Sequence, residues 1–222
     1  MKKVVISLGG SVIVPDKVDY NYLLKFKGII SNFCKRNKLV IITGGGSTAR
    51  KYMNLKHFDA KTKSLIGISS TKLNARLVAG IFGKKLDIPE KLSEVRKDLR
   101  KSNLVICGAL GMKANSTTDG NAAEIAKFIK ADYFINITNI KGLYDKNPGK
   151  FKNAKFIPNI SFKDFLNIVN KIKFKAGQHF ILDQFAAKLI SKKKIRTFIV
   201  GPNLSNLKKV LLNKKFVGTI IS

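Results

Sequence analysis

Three consecutive glycines, Gly44, Gly45 and Gly46, stand directly behind an apolar run at 39–43 and ahead of Ser47, Thr48, Ala49 and Arg50. Glycine loses more conformational freedom on ordering than any other residue, so something there must need the space that side chains would fill. Backbone amides at a strand-to-helix turn are suited to a phosphate chain; a dinucleotide or another turn of the same chain are the other candidates. Arg50 lies about one helical turn further on, and its planar guanidinium suits bidentate contact with an anion held at that turn. Small or polar residues also follow other apolar runs. Gly9, Gly10 and Ser11 follow 4–8, Gly108 to Gly111 follow 104–107 and lead to Ser116, Thr117, Thr118 and Asp119, and Thr138 and Asn139 close 133–138.

Several known phosphate and catalytic motifs do not fit. GGGSTARK lacks the spacing of a P-loop, and Gly44-x-Gly46 has no third glycine three positions on, which excludes the dinucleotide fingerprint. The protein-kinase signature set is missing. His57 and His179 lie in no glycine-rich elbow and have no partners at triad or metal spacing, so both read as surface or packing residues. Asp119 opens a helix behind two threonines. Helix capping explains an acid there without chemistry, while a carboxylate among phosphate loops would orient Mg²⁺ or a cationic side chain. No Cys/His metal spacing exists. Cys34 and Cys107 abut apolar runs and read as reduced, buried thiols of a cytosolic protein.

The elements that must position these residues alternate in kind. Short β-branched runs at 4–8, 39–43, 104–107, 133–138 and 197–200 read as buried strands. Helical periods lie between them. Residues 20–34 align Leu23, Phe26, Ile30 and Phe33; 64–82 align Leu73, Leu77 and Ile81; 119–130 align Ala122, Ile125, Ala126 and Ile129; 203–212 align Leu204, Leu207 and Leu211. Residues 91–101 read as a solvated helix, and 141–160, with Pro148, Gly149 and Pro158, as an irregular or hairpin excursion. Strand–helix alternation implies an α/β fold, a three-layer sandwich around a mostly parallel sheet, in a single domain over 1–222. In such a sheet the strand ends listed above share one edge, where ligands bind.

Composition is ordinary apart from charge: 45% hydrophobic and 25% charged residues, but 43 Lys plus Arg against 13 Asp plus Glu, a formal +30. Such a field attracts polyanions. The lysines are spread along the chain without clustered arginines and aromatics, which argues against specific nucleic-acid recognition. Lys2 and Lys3 ahead of VVISLGGSVIV imitate an export signal, but the glycines interrupt it and it reads as a buried first strand. No apolar run has the length of a membrane span.

The blocks VVISLGGSV, VIITGGGSTARKY, IGISSTKLNARLV, STTDGNAAEIAKFIKAD and ITNIKGLYDKNP resemble, in this order, those of the amino acid kinase superfamily, and most closely its archaeal-type uridylate (UMP) kinases. The resemblance runs end to end, including KAGQHFILDQFAAKLI and the closing GTII. It implies an acceptor side over roughly 1–130, an ATP side over roughly 131–222, a hexamer, and transfer of the ATP γ-phosphoryl group to UMP with Mg²⁺. It implies Gly10, Ser11 and Gly46 at the ATP phosphates, with Arg50 at the phosphate junction. Gly44, Gly45, Ser64, Thr117 and Thr118 would lie on the UMP side, and Thr138, Asn139, Tyr144 and Asn147 at the adenosine end. Arg50 and Asp119 would be catalytic.

Four departures from the pattern stand out. Ser7 occupies the place of a lysine found in many superfamily members, and Ser64 that of an aspartate for the nucleotide ribose. Residues 112–116 replace a His-Pro-Gly-His-type loop, and Lys141 and Asn147 stand where acids are expected. Two alternatives therefore remain beside UMP kinase: a sibling kinase acting on another acceptor such as isopentenyl phosphate, and a nucleotide-binding regulatory or storage member.

Overall fold

A computed structural model describes residues 1–111, 117–171 and 182–222. The chain begins with β1 (Lys3–Leu8), a short helix α1 (Gly10–Ile13), α2 (Tyr20–Cys34) and β2 (Lys38–Thr43). Then come α3 (Gly46–Met53), α4 (Ala60–Ile81), α5 (Leu92–Lys101), β3 (Leu104–Cys107), α6 (Thr118–Ile129) and β4 (Tyr133–Ile137). The excursion at 141–160 contains a hairpin of β5 (Leu143–Tyr144) and β6 (Phe156–Ile157), followed by β7 (Asn159–Ile160). The remainder is α7 (Phe162–Lys171), α8 (Gln184–Lys193), β8 (Thr197–Val200), α9 (Leu204–Leu211) and β9 (Thr219–Ile221).

The main sheet runs β3-β2-β1-β4-β8-β9-β7. Every pairing in it is parallel except β8 with β9. Its central strands are apolar on both faces, as a sheet covered on both sides requires. One face carries Val4, Ile6, Leu39, Ile41 and Ile135 against α1, α2, α4 and α9. The other carries Val5, Val40, Ile42, Phe134 and Ile199 against α5, α6, α7 and α8. Helix, sheet and helix make the three layers expected.

Helix starts follow local chemistry. Asp19 accepts from the amide of Tyr22 at 3.0 Å, Asp59 from Thr62 at 2.7 Å and Asn203 from Asn206 at 2.9 Å, each relieving a first-turn donor that the helix itself cannot satisfy. Some faces differ from expectation. On α2, Leu23, Phe26 and Ile30 are buried with Cys34, while Phe33 is only half-buried. Leu204 of α9 is likewise half-buried beside buried Leu207 and Leu211.

The largest correction concerns α4. It starts at Ala60 rather than 64, and Leu73 is 56% exposed. Its buried face carries Thr71, Lys72 and Asn74 where it passes the strand ends, then Ala75, Val78 and Ala79 over the sheet. Leu77 and Ile81 pack against the core as periodicity predicts, and only Leu73 is misplaced, because polar side chains occupy part of the inner face.

The strand order reverses at β1 and β4, whose chain connections leave to opposite sides, and the carboxyl ends of β1, β2, β3 and β4 share an edge. There the β1 and β2 turns cross in contact. A Cβ on Gly10 would overlap the backbone nitrogen of Gly46 and lie 2.6 Å from the carbonyl carbon of Gly44; one on Gly46, at φ +65°, would overlap the carbonyl oxygen of Gly10. By contrast, a Cβ on Gly28 of α2 would meet nothing within 4 Å. Gly10→Ala is expected to cost about 3 kcal/mol or more through forced backbone shifts. Gly28→Ala should stabilise by about 0.5–1 kcal/mol by restricting the unfolded chain. Urea unfolding of the two variants checks the contrast, and equal midpoints would show that the crossing is not tight.

Candidate active site

Ser7 and Asn136 are cross-strand neighbours on β1 and β4, both buried one or two residues from the strand ends. Helix α6 begins above them. Thr117 caps it, accepting from the amide of Gly120 at 2.9 Å, so capping is not the function of Asp119. The Asp119 carboxylate instead turns inward and accepts from the Ser7 hydroxyl at 2.9 Å, with Asn136 as a second hydrogen-bond partner.

A second acid comes from far along the chain. Asp183 caps α8 by accepting from the amides of Phe185 and Ala186, and its other oxygen accepts from the Thr117 hydroxyl at 2.5 Å. It is 6% exposed. Burial, and then the charge of Asp183, push the Asp119 carboxyl up to about 7, against the hydrogen bonds from Ser7 and Asn136 that favour its ionised form. A positive charge placed beside such a carboxyl would favour its ionised form.

Around this cluster lie the turns. Gly10 is buried and Ser11 half-buried at the start of α1; Gly44 is buried, and Gly45 and Gly46 are half-buried before α3. First-turn amides lack intrahelical acceptors. That of Val12 goes to the carbonyl of Gly9 within its own turn, while that of Ser47 goes to the carbonyl of Val14 and ties α3 to the segment after α1. Arg50 is exposed in α3, its Nη2 at 3.5 Å from the carbonyl of Pro15, while Lys51 pairs with exposed Asp16 at 2.9 Å. Thus Arg50 sits on the segment after α1, at the rim of the strand-end edge, and not back over the N-terminus of its own helix. Ser64 is half-buried on α4, one turn before Gly67.

The β3 turn departs from the phosphate-cradle expectation. The amide of Ala109 donates to Thr71 Oγ1 at 2.8 Å, that of Leu110 to Asn121 Oδ1 at 3.0 Å, and that of Gly111 to the Glu90 carbonyl at 2.8 Å. These donors are spent on the protein itself. Further along, Thr117 and Thr118 are half-buried at the start of α6. Residues 112–116 and His179 lie outside the described residues; His57 is exposed.

On the other side, Thr138 follows β4, its amide bonded to the Val200 carbonyl at 3.0 Å, and its hydroxyl lies 3.3 Å from Oδ1 of exposed Asn139. Tyr144 packs edge-on against Phe156 in the hairpin, with ring centroids 5.5 Å apart. Asn147 caps a turn, its Oδ1 accepting from the Gly149 amide at 2.9 Å. Thr138 and Asn139 thus share the edge with Gly10 and the β2 glycines, while Tyr144 and Asn147 sit on the excursion beyond it.

The edge brings glycine turns together with two inward-facing carboxyl groups, and a model of the amino acid kinase family matches residues 2–201. The chain belongs to this family. A uridylate kinase of Methanoregula boonei is 32% identical over 228 residues, covering 100% of this chain and 96% of the relative. One from Archaeoglobus fulgidus is 32% identical over 224 residues, covering 99% and 100%. The crystal structure of uridylate kinase from Archaeoglobus fulgidus matches with a TM-score of 0.87 at 30% identity, with full coverage of both chains. A UMP kinase structure from Bacillus anthracis matches at TM-score 0.77 and 17% identity, a likeness of fold.

Asn136 and Asp183 were not singled out from the sequence of this amino acid kinase. A lone asparagine inside the apolar run YFINI was the available signal for the first, because a polar side chain in a covered strand needs a partner. Asp183 carried only the signature of a helix cap, which it also is.

The raised Asp119 carboxyl has a consequence for stability. Between the ordinary carboxylate value and about pH 7 the folded chain retains a proton that the unfolded chain has released, so this group lowers stability as pH rises through that window. Asp119→Asn should remove the effect, making the variant more stable than the parent by roughly 2–4 kcal/mol at pH 8 but not at pH 4. Unfolding both proteins in urea at the two pH values checks this; a constant difference would place the Asp119 carboxyl near its ordinary range.

Proposed function

We propose that this chain is a UMP kinase, transferring the γ-phosphoryl group of ATP to the phosphate of UMP to give UDP. The observation that carries this reading is the end-to-end match, at about 32% identity, to archaeal proteins named uridylate kinases. The arrangement of the strand-end edge is in keeping with it: glycine turns without side chains, basic residues at the rim, and hydroxyls at Ser11, Thr117 and Thr118.

Transfer between two anions needs positioning and charge neutralisation more than covalent chemistry. An oxygen of the UMP phosphate attacks the γ-phosphorus in line, and the bond to the ADP oxygen breaks as the new P–O bond forms. The acceptor phosphate is already ionised near neutral pH, so no general base is required. Gly10, Ser11 and Gly46 face the ATP phosphates, while Thr138, Asn139, Tyr144 and Asn147 hold the adenosine end. Gly44, Gly45, Ser64, Thr117 and Thr118 hold UMP, and Arg50 swings from the Pro15 carbonyl onto the transferring group.

Magnesium fits this donor set. Among the described residues no group of three or more His, Cys, Asp or Glu could hold a metal, but Mg²⁺ commonly takes one or two carboxylates with its remaining ligands from phosphates and water. Asp119, undercompensated beside Asp183, would orient it, and the ion would neutralise charge developing on the phosphates. A hexamer is the assembly that the family resemblance implies, and sedimentation of the purified chain tests it. Among the described residues no helix is long and apolar enough to cross a membrane.

The decisive assay offers ATP and Mg²⁺ with UMP, CMP, isopentenyl phosphate or a carboxylate acceptor. Turnover confined to UMP is expected. Turnover on another acceptor alone would make the chain a sibling kinase, and ATP binding without turnover would make it a regulatory or storage member. In the same assay Arg50→Ala should lower kcat/KM by about 10²–10³-fold, the scale of one charge-stabilising donor. Unchanged kinetics would remove Arg50 from the reaction.

A further inference from the structure

The buried face of α4 changes character where it passes the strand ends. Thr43 Oγ1 donates to the Thr71 carbonyl at 2.8 Å, Asn74 Nδ2 donates to the Gly44 carbonyl at 2.7 Å, and between these residues lies Lys72, 8% exposed. Its ammonium pairs with Glu90 Oε2 at 2.8 Å. The lysine is buried while the Glu90 side chain is 44% exposed, so the pair joins an internal cation of α4 to a partly solvated acid just before α5.

Glu90 also holds the β3 turn. Its carbonyl accepts the amide of Gly111, at φ +67°, while its own amide donates to Glu94 Oε2 at 2.8 Å and anchors it to α5. Gly108 lies directly against Lys72, where a Cβ would come within 2.7 Å of the Lys72 backbone nitrogen. The turn passes this placement to the candidate site. Leu110 donates to Asn121 Oδ1, and Asn121 Nδ2 donates to the Thr117 carbonyl at 2.8 Å.

We propose that the Lys72–Glu90 ion pair is a positioning device: it fixes the turn at 108–111 and, through Asn121, holds Thr117 for the acceptor phosphate, a role that rests on the kinase reading above. In this role Lys72 acts through Glu90 and the turn. The pair links α4 to the segment before α5, and the chain of hydrogen bonds from it ends on Thr117, so its loss is expected to be felt by UMP more than by ATP.

The test compares the parent with Lys72→Met, Lys72→Arg and the doubly neutral Lys72→Met/Glu90→Gln. The last leaves no unpaired charge and serves if the single variant does not fold. Removing the pair should raise KM for UMP by about tenfold while leaving KM for ATP within roughly twofold. Lys72→Arg should restore most of the difference. Without nucleotide, hydrogen exchange at the Gly111 and Leu110 amides should quicken by about tenfold or more, as local opening becomes easier. Equal shifts in both KM values, or unchanged exchange at these amides, would overturn the proposal. Should the parent show no UMP turnover, the kinase reading fails, and the exchange measurement still decides whether the pair holds the turn.

Discussion

Two turns of the same chain cross without side chains at the carboxyl edge of the sheet, and much of the site follows from that contact. Gly10 and Gly46 lie so close that a methyl group on either would overlap the other's backbone. The β1 and β2 turns therefore behave as one unit, tied further by the amide of Ser47 on the Val14 carbonyl and the amide of Gly44 on the Leu8 carbonyl. A sheet edge with its strand ends spread apart would leave a gap; here the gap is closed by backbone. The glycines are thus first a packing solution, and the phosphate site proposed beside them lies on backbone that this packing has already fixed.

The second organising feature is electrostatic. The chain has 13 acidic residues against 43 basic ones, yet two of the 13, Asp119 and Asp183, face the same small region. Burial and the charge of Asp183 hold the Asp119 carboxyl above its ordinary range, which costs stability as pH rises. Most of the excess lysine is distributed over the surface. Its contribution is a long-range attraction for anions, screened within about 8–10 Å at ordinary ionic strength, and local geometry decides where an anion stops.

The secondary structure was largely legible because the strands are uninterrupted β-branched runs and the helices carry apolar stripes with recognisable caps. Reading failed where a covered surface is polar. Leu73 looked like core and faces out, while Thr71, Lys72 and Asn74 look like surface and face in. Their burial is tolerable because partners wait at the strand ends, on Thr43, Gly44, Ala109 and Glu90, from distant parts of the chain. The β3 turn illustrates the same limit. Its glycines resemble those of β2, but its amides are committed to α4, α6 and Glu90.

By itself the sequence determined the layers, the edge that carries the strand-end turns, and the family, since these follow from periodicity, turn composition and ordered blocks that are local in the chain. It also placed Gly10, Ser11, the β2 glycines, Thr117, Thr118 and Asp119 together, because parallel strands put their following turns side by side. Only the tertiary structure decided that Asp119 is not a cap, that Asp183 joins it from 64 residues away in sequence, and that Lys72 is internal. Those facts depend on desolvation and on hydrogen-bond partners supplied by other segments, and neither quantity is written in the order of residues.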